Sequence, residues 1–213
     1  MDKKSRKKHW EQIYTTKPFE EVSWYQPYPQ VSMNYLNGFE LAKDASIIDV
    51  GGGDSFLVDA LLDQGYTDIT VLDISAKALD RAQQRLGEKA RQVKWIVTDI
   101  LDFVPTQTYD VWHDRAVFHF LTHSQEQQLY ASLAATTVAE NGSLVLGVFS
   151  DQGPKRCSGI DIQQYSEATI EMSFKDGFKK LFSERLVHPT PFDTTQEFLF
   201  TGFSRSTAEL PTR

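Results

Sequence analysis

The residues best suited to chemistry begin with an acidic residue and three glycines. Asp49 ends a short apolar run, and Gly51, Gly52 and Gly53 follow it before an apolar-periodic stretch resumes. Glycines at a turn between strand and helix let the backbone come close to a bound nucleotide, and the first amides of the helix point to the same place. A glycine turn alone is also compatible with an ordinary sharp bend, so the neighbouring strand ends decide its meaning.

Two further carboxylates stand at the ends of the next two apolar segments. Asp73 closes the segment that starts at Ile69, about twenty residues after Gly53, and Asp99 follows the segment that starts at Val93. A carboxylate at the offset of Asp73 is placed to accept hydrogen bonds from ribose hydroxyls. Because ligands of an open parallel sheet bind outside the carboxyl ends of its strands, these strand ends predict one ligand site.

A fourth apolar segment ends in the ionisable residues His113, Asp114 and Arg115, and His119 follows. Such groups are seldom buried without partners, so we expect them at the mouth of the sheet. Two interpretations stay open: a catalytic group among them, or a structural ion pair of Asp114 and Arg115 beside histidines that fill space. Further candidate substrate-side groups are Cys157, Tyr165, His188 and Gln196.

The elements that must position these residues alternate between strand and helix. Apolar faces with helical spacing run from Phe56 to Leu62, from Ala78 to Leu86 and from Leu129 to Val138, and each lies between two apolar strands. This alternation predicts a parallel sheet with helices on both faces. A turn at Asn141-Gly142 should lead into a fifth strand, Ser143 to Phe149.

The pattern changes after Ser150. Gly-Pro and Ser-Gly pairs mark residues 151–159 as a loop, and a helix should begin near Tyr165 or Ser166. Two strands, Phe178 to His188 and Thr195 to Phe203, should then form an antiparallel pair. From Ser206 onward we expect a loose tail.

The strand ends resemble the first motifs of the class I S-adenosylmethionine-dependent methyltransferases. That family has an acidic residue followed by three alternating glycines, which match Asp49, Gly51 and Gly53, while Ser55 replaces the third glycine. The resemblance implies that Asp73 binds the ribose and that Asp99 with Ile100 holds the adenine edge of S-adenosylmethionine. It covers roughly residues 9–203.

The resemblance also implies a fold and a set of site residues. The expected architecture is a Rossmann-like three-layer sandwich of the α/β class, with a seven-stranded, mostly parallel sheet in the order 3-2-1-4-5-7-6. One domain would comprise an N-terminal cap (1–42), a cofactor-binding core (43–149) and a substrate side (150–205). The expected cofactor-binding residues are Trp24, Tyr25, Asp49, Gly51, Gly52, Gly53, Asp73, Ile74, Asp99, Ile100 and Asp114; the substrate-side residues are His113, Arg115, Cys157 and Tyr165. Asp114 and His119 are the candidate catalytic residues, because the resemblance places them beside the transferred methyl.

The segment before the first strand is aromatic and rich in proline. Phe19 to Pro29 is either a loop that covers the core or a lid over the cofactor, and Trp24 and Tyr25 would contribute to the lid. An aromatic face beside a sulfonium is favourable through the ring quadrupole. The basic cluster from Lys3 to Lys8 is expected to be a solvated, partly frayed first helical turn.

The expected activity is transfer of a methyl group from S-adenosylmethionine to an acceptor. His9-Trp10-Glu11 and Ser23-Trp24-Tyr25 resemble both small bacterial methyltransferases and eukaryotic methyltransferase-like enzymes that modify protein lysines. A small-molecule acceptor is preferred because no insertion for protein docking is recognisable. A protein lysine methyltransferase and a non-catalytic cofactor-binding module remain alternatives. A nicotinamide-dependent oxidoreductase is disfavoured by the pairing of Asp49 with Asp99.

Composition narrows the classes of protein. The chain has 213 residues and a formal net charge of -7, which argues against a general nucleic-acid binder. The single cysteine, Cys157, cannot form an internal disulfide and provides no zinc pattern, so we expect no metal. No apolar run reaches the length of a membrane span, and we expect a cytoplasmic monomer or dimer.

Overall fold

A seven-stranded sheet organises the fold in the computed structural model, which describes residues 1–205. Its order is β3-β2-β1-β4-β5-β9-β8. The strands are β1 (Ser46–Val50), β2 (Asp68–Asp73), β3 (Val93–Val97), β4 (Tyr109–Arg115), β5 (Val138–Phe149), β8 (Phe178–Pro189) and β9 (Thr195–Arg205). Among residues 1–205, two short strands pair only with each other: β6 (Arg156–Cys157), inside the expected loop, and β7 (Ile160–Asp161), directly after it. Without them the order is the expected 3-2-1-4-5-7-6, and the fold class is confirmed.

Strand direction brings the functional strand ends to one edge of the sheet. β1 pairs in parallel with β2 and β4, β2 with β3, and β4 with β5, whereas β9 is antiparallel to both β5 and β8. The register sets Val50 opposite Leu72 and Asp114, and Asp73 opposite Val97. The glycine turn and the residues after β2, β3 and β4 therefore meet at the same edge.

Helices cover both faces of the sheet. They are α1 (Lys3–Thr16), α2 (Gln30–Gly38), α3 (Leu57–Asp63), α4 (Ala76–Leu86), α5 (Ser124–Thr137) and α6 (Glu167–Phe174). On one face Ile48 and Trp112 pack with Tyr130 of α5 and Phe174 of α6. On the other face the neighbouring strand residues pack against α2, α3 and α4, through Ile47, Val111, Met33, Leu61 and Leu79. The alternation of side chains along each strand thus supplies a core on each face, and a third cluster forms where β5 and β9 pair, with Phe149 and Phe198.

Local sequence explains most of the element ends. The Ser75 hydroxyl accepts a hydrogen bond from the Ala78 amide at 3.2 Å at the start of α4, and Gly87 ends the helix with a φ of +57°. Ser166 caps α6 through a reciprocal bond with Thr169, which agrees with the expected helix start. The turn at Asn141 is a left-handed bend (φ +61°) inside β5, which begins at Val138.

Two expectations concern the ends of the chain and its surroundings. The predicted tail from Ser206 onward lies outside the described residues. Within residues 1–205, no helix is both long and apolar enough to cross a membrane.

Candidate active site

A cavity opens at the carboxyl edge of the sheet. At one end it is lined by the strand-end residues Gly51, Asp73 and Asp99, and at the other by aromatic rings that include Trp24 and Phe198. A second, smaller cavity adjoins it beside the glycine turn. The larger cavity thus has a polar end and an aromatic end, and it lies where the sequence predicts a ligand site.

Asp73 offers a free carboxylate oxygen at the polar end. Its Oδ1 accepts a hydrogen bond from the Ser75 amide at 2.8 Å, and its Oδ2 has no hydrogen-bond partner within residues 1–205. Burial, reinforced by the nearby carboxylates of Asp54 and Asp49, raises the pKa of Asp73 to about 7. A hydroxyl donor entering the cavity would find an acceptor there.

Asp99 is held between its own strand end and the N-terminal helix. Its Oδ1 accepts a hydrogen bond from the Leu101 amide at 3.0 Å, and its Oδ2 lies 3.3 Å from Nη1 of Arg6. The other terminal nitrogen of Arg6, Nη2, donates to Glu126 at 2.5 Å. Arg6 is only 8% exposed, so the expectation that the whole basic cluster is solvated is wrong for this residue. Ile74 and Ile100 supply apolar wall beside these groups.

The glycine turn is tightly enclosed. Gly51 and Gly53 have φ values of +69° and +53°, which favour glycine, and a Cβ at Gly53 would lie 2.6 Å from the Tyr14 hydroxyl. A Cβ at Gly52 would lie 2.5 Å from Oδ2 of Asp49. Side chains at these positions would collide with the groups that shape the cavity.

Ser55, which departs from the motif, lies two residues before the start of α3. It lines the smaller cavity, and its carbonyl accepts a hydrogen bond from Nη2 of Arg85 at 2.7 Å. Its hydroxyl lies 3.4 Å from the Leu57 amide, at the start of α3. The turn therefore accommodates a small polar side chain.

Helix α1 closes the cavity from above. The Glu11 carboxylate accepts hydrogen bonds from the Ala76 amide at 2.7 Å and from the Ser75 hydroxyl at 3.0 Å, so it caps α4. This anchor and the Arg6 contacts place Trp10 and Tyr14 in the cavity wall. None of these α1 residues was predicted to be a site residue. The signal was present, because Trp10 and Tyr14 follow Arg6 by four and eight residues, a spacing that puts all three on one helical face.

The aromatic end carries a few polar groups. Arg115, Cys157 and Gln196 line it, as the sequence suggested for substrate-side residues. Burial raises the pKa of the Cys157 thiol, which disfavours a thiolate there. The ring walls come from Trp10 and Trp24, whose centroids lie 5.8 Å apart, and from Phe120, Phe149 and Phe198. Phe120, Phe149 and Phe198 were not predicted, because the sequence does not distinguish an apolar residue that lines a cavity from one that packs in the core.

Residues 47–142 match the family model of a methyltransferase domain. This part of the chain is a methyltransferase domain. The recognition made from the motifs is thereby confirmed.

Known proteins similar to the chain extend this finding. A malonyl-[acyl-carrier protein] O-methyltransferase of Anoxybacillus flavithermus is 30% identical over 109 residues, which are 50% of the chain and 40% of that protein. The eEF1A lysine and N-terminal methyltransferase of Mus musculus is 25% identical over 121 residues, 56% of the chain and 17% of that protein. The chain thus spans less than half the length of these relatives.

The fold of the methyltransferase domain extends through the rest of the described chain. The crystal structure of magnesium protoporphyrin IX methyltransferase from Synechocystis with bound S-adenosylmethionine superposes with a TM-score of 0.70. The match covers 97% of this chain and 98% of that one at 18% identity, a likeness of fold alone.

Within the methyltransferase domain, Asp114 does not face the cavity. Its carboxylate accepts hydrogen bonds from the Val117 amide at 2.8 Å, the Phe118 amide at 3.1 Å and the Tyr130 hydroxyl at 2.5 Å. Burial raises its pKa to about 6 against the lowering effect of these donors. Asp114 therefore joins the turn after β4 to α5. This position does not support the prediction that Asp114 is a catalytic and cofactor-binding residue. The alternative, an ion pair with Arg115, is not formed either.

His119 is not placed to act as a base. The ring is fully buried and stacked on Phe149 with centroids 4.5 Å apart, and its Nδ1 accepts a hydrogen bond from the Phe149 amide at 3.1 Å. The other nitrogen, Nε2, therefore carries the proton. Burial, and then the charge of Arg115, lowers the pKa of His119 to about 3. Because its one acceptor nitrogen is occupied by the Phe149 amide, this geometry argues against the predicted catalytic role and favours a structural one.

His113 connects the glycine turn to α2. Its Nδ1 lies 2.7 Å from Oδ1 of Asp49, and its Nε2 lies 2.8 Å from the Ser32 hydroxyl. Both ring nitrogens are thus occupied, and the residue lines only the smaller cavity. Its contribution is to hold Asp49 beneath the glycines.

Three other candidates lie away from the cavity. Tyr25 packs on Phe19 with centroids 5.1 Å apart, so only Trp24 of the expected aromatic pair lines the site. Tyr165 is 3% exposed and stacks on Phe118 in the core, where burial raises the pKa of its hydroxyl. His188 donates from Nε2 to the Ser23 carbonyl at 2.9 Å, and burial lowers its pKa to about 4.

In residues 1–205 no group of three potential metal ligands comes together.

Proposed function

We propose that the protein is an S-adenosylmethionine-dependent methyltransferase that methylates a small molecule. The observation that carries this proposal is the single cavity in which Gly51, Asp73 and Asp99 from three strand ends meet an aromatic chamber. A methyltransferase must bind its cofactor and its acceptor side by side, and the two ends of this cavity can hold one each.

The polar end suits the adenosine part of the cofactor. The free Oδ2 of Asp73 can accept from ribose hydroxyls, and Asp99 with the apolar edge of Ile100 suits the adenine, flanked by Leu72 and Ile74. The glycine turn leaves room for close approach of the rest of the cofactor. When bound, S-adenosylmethionine supplies an electrophilic methyl group on a sulfonium.

The chain itself contributes positioning and exclusion of water. Helix α1 covers the cavity, and the ring faces of Trp10 and Trp24 favour a positively charged group. Among the described residues that line the aromatic end, no side chain is a carboxylate or an imidazole. An acceptor that is already nucleophilic at neutral pH therefore fits this site better than one that requires a general base.

A small acceptor is favoured by the lining of the aromatic end. Its walls come from α1, from the segment around Trp24 and from β9. Aromatic rings on several sides of one cavity suit a small apolar molecule. The relatives include methyltransferases with either kind of substrate in their names, so the acceptor is tested directly. We further propose a cytoplasmic location for this activity.

The decisive experiment is isothermal titration with S-adenosylmethionine and S-adenosylhomocysteine. We expect roughly micromolar dissociation constants for the wild type and a loss of about 100-fold or more for Asp73→Ala. Asp63→Ala, a change at an exposed carboxylate, is the matched control and should bind normally. Absence of binding to the wild type would contradict the proposal.

Isotope-labelled cofactor then identifies the acceptor class. Incubation with the low-mass fraction and with the protein fraction of a cell extract should place the label in the former. Label in protein lysines would replace the small-molecule proposal with the lysine alternative, and binding without transfer to either fraction would favour a non-catalytic module.

A further inference from the structure

Arg115 is a half-buried cation that forms no salt bridge within residues 1–205. At the end of β4 its Nη1 donates to the Trp24 carbonyl at 3.0 Å. Its Nε and Nη2 are buried, and neither has a hydrogen-bond partner within residues 1–205. In that same part of the chain no carboxylate oxygen lies within salt-bridge distance of it, in contrast to Arg6, Arg81, Arg85 and Arg185.

The guanidinium stays charged in this position. Burial lowers the pKa of Arg115 to about 10, which still leaves it protonated at neutral pH. Burying a charge without a partner is costly, and a fold normally supplies that partner. A missing internal partner on a residue that lines a cavity indicates that a ligand supplies the opposite charge.

The surroundings of Arg115 belong to the aromatic end of the cavity. The guanidinium carbon lies 5.1 Å from the centroid of the Phe198 ring, and its bonded carbonyl belongs to Trp24. Gln196, which shares this end, has a buried amide oxygen that is also without a partner within residues 1–205. The two polar groups are thus set among aromatic walls.

We propose that Arg115 binds a carboxylate of the methyl acceptor, and that the acceptor is a small, flat, largely apolar acid. This inference rests on the proposed function and specifies its substrate class. The forked donors of a guanidinium match a carboxylate, and the rings of Trp24, Phe149 and Phe198 match a flat apolar body. The Gln196 oxygen can accept from an N–H or O–H of the same molecule.

A second source of a carboxylate is the amino-acid part of the cofactor. Arg115 also borders the smaller cavity, together with Gly52 and Asp49. The Asp49 carboxylate would repel a cofactor carboxylate on that side and attract its ammonium group instead. The contacts of Arg115 with Trp24 and Phe198 favour the acceptor, and the experiment separates the two sources.

The test uses pairs of acid and amide probes. Ligand-observed NMR measures binding of phenylacetate against phenylacetamide, and of benzoate against benzamide, to the protein saturated with S-adenosylhomocysteine. We expect each acid to bind the wild type about tenfold or more tightly than its amide. Arg115→Gln should abolish that preference, Arg115→Lys should retain part of it, and Arg91→Gln, a change at an exposed arginine, should leave it unchanged.

Several outcomes overturn the proposal. Equal binding of acids and amides by the wild type does so without any variant. A fall of about tenfold in S-adenosylhomocysteine affinity in Arg115→Gln, with unchanged affinity for 5′-methylthioadenosine, would assign the guanidinium to the cofactor carboxylate. Failure of the wild type to bind S-adenosylhomocysteine would instead contradict the proposed function, and it is measured before any probe is added.

Discussion

The Arg6 guanidinium in α1 contacts the Asp99 carboxylate, which follows the end of β3, and its Nη1 lies 3.3 Å from Oδ2 of Asp99. The same guanidinium bonds Glu126 of α5, so one buried side chain joins the N-terminal helix to the end of β3 and to α5. This connection holds α1 over the polar end of the cavity.

Replacing Arg6 should open that end. In Arg6→Gln, the buried Asp99 carboxylate and the half-buried Glu126 carboxylate lose their cation, and we expect about 2–4 kcal/mol less stability of the docked helix. Hydrogen exchange measured by mass spectrometry should rise over α1, and S-adenosylhomocysteine affinity should fall about tenfold or more. Lys4→Gln, at an exposed neighbour on the same helix, is the control. Unchanged exchange over α1 would show that other contacts hold the helix.

Glu11 should stabilise α4 as well as α1. Its carboxylate accepts from the Ala76 amide, the Ser75 hydroxyl and the Lys77 amide at the positive end of α4. We expect Glu11→Gln to lower the free energy of unfolding by about 1–2 kcal/mol, measured by urea denaturation. The exposed Glu20→Gln change should have almost no effect. Equal stability of both variants would contradict a capping role.

Asp73 should make cofactor binding depend on pH. Burial raises its pKa from the ordinary value of 3.8 to about 7, and the ionised form is the better acceptor for ribose hydroxyls. Affinity for S-adenosylhomocysteine should therefore rise as the pH increases from about 6 to about 8, with proton release on binding. Calorimetry in buffers of different ionisation enthalpy measures that release, and Asp73→Asn should eliminate it.

The same residue should lower the stability of the unliganded protein. Between pH 3.8 and about 7 the folded state keeps a proton on Asp73 that the unfolded state has lost, so stability falls as pH rises through this window. Asp73→Asn removes that loss and still accepts from the Ser75 amide. We expect the variant to exceed the wild type by roughly 2–4 kcal/mol near pH 8, a difference that shrinks toward pH 4. Thermal melting across this range measures it, and a constant difference would contradict the assignment.

His119 should not titrate in catalysis. Its Nδ1 accepts only from the Phe149 amide, and an asparagine oxygen can replace it there. We expect His119→Asn to keep the rate of methyl transfer within about threefold of the wild type and to leave its pH profile unchanged. Loss of a general base would instead lower the rate by about 100-fold or more. Rates are followed with labelled cofactor and the low-mass extract fraction. A loss of about 100-fold in a folded variant would restore the catalytic role.

The local pattern of the chain determined the fold and the polar end of the cavity. Strand and helix alternation, the cap at Ser75, the turn at Gly51 and the carboxylates Asp73 and Asp99 are all local features, since each depends on side-chain period or turn chemistry within a few residues. Parallel strands then bring these ends to one edge wherever the helices lie. The amino-acid sequence is therefore sufficient to predict these parts of the molecule.

Tertiary structure alone decided which side chains reach the cavity. Consecutive residues of β4 face opposite sides, and packing sends Asp114 toward Tyr130 while Arg115 reaches the cavity. Arg6 and Asp99 are 93 residues apart in the chain, and such a contact leaves no local pattern. The sequence determined that a methyltransferase domain folds here. The packing of α1, of the segment around Trp24 and of β9 decided the aromatic end of the cavity, because those contacts join segments that are distant in the chain.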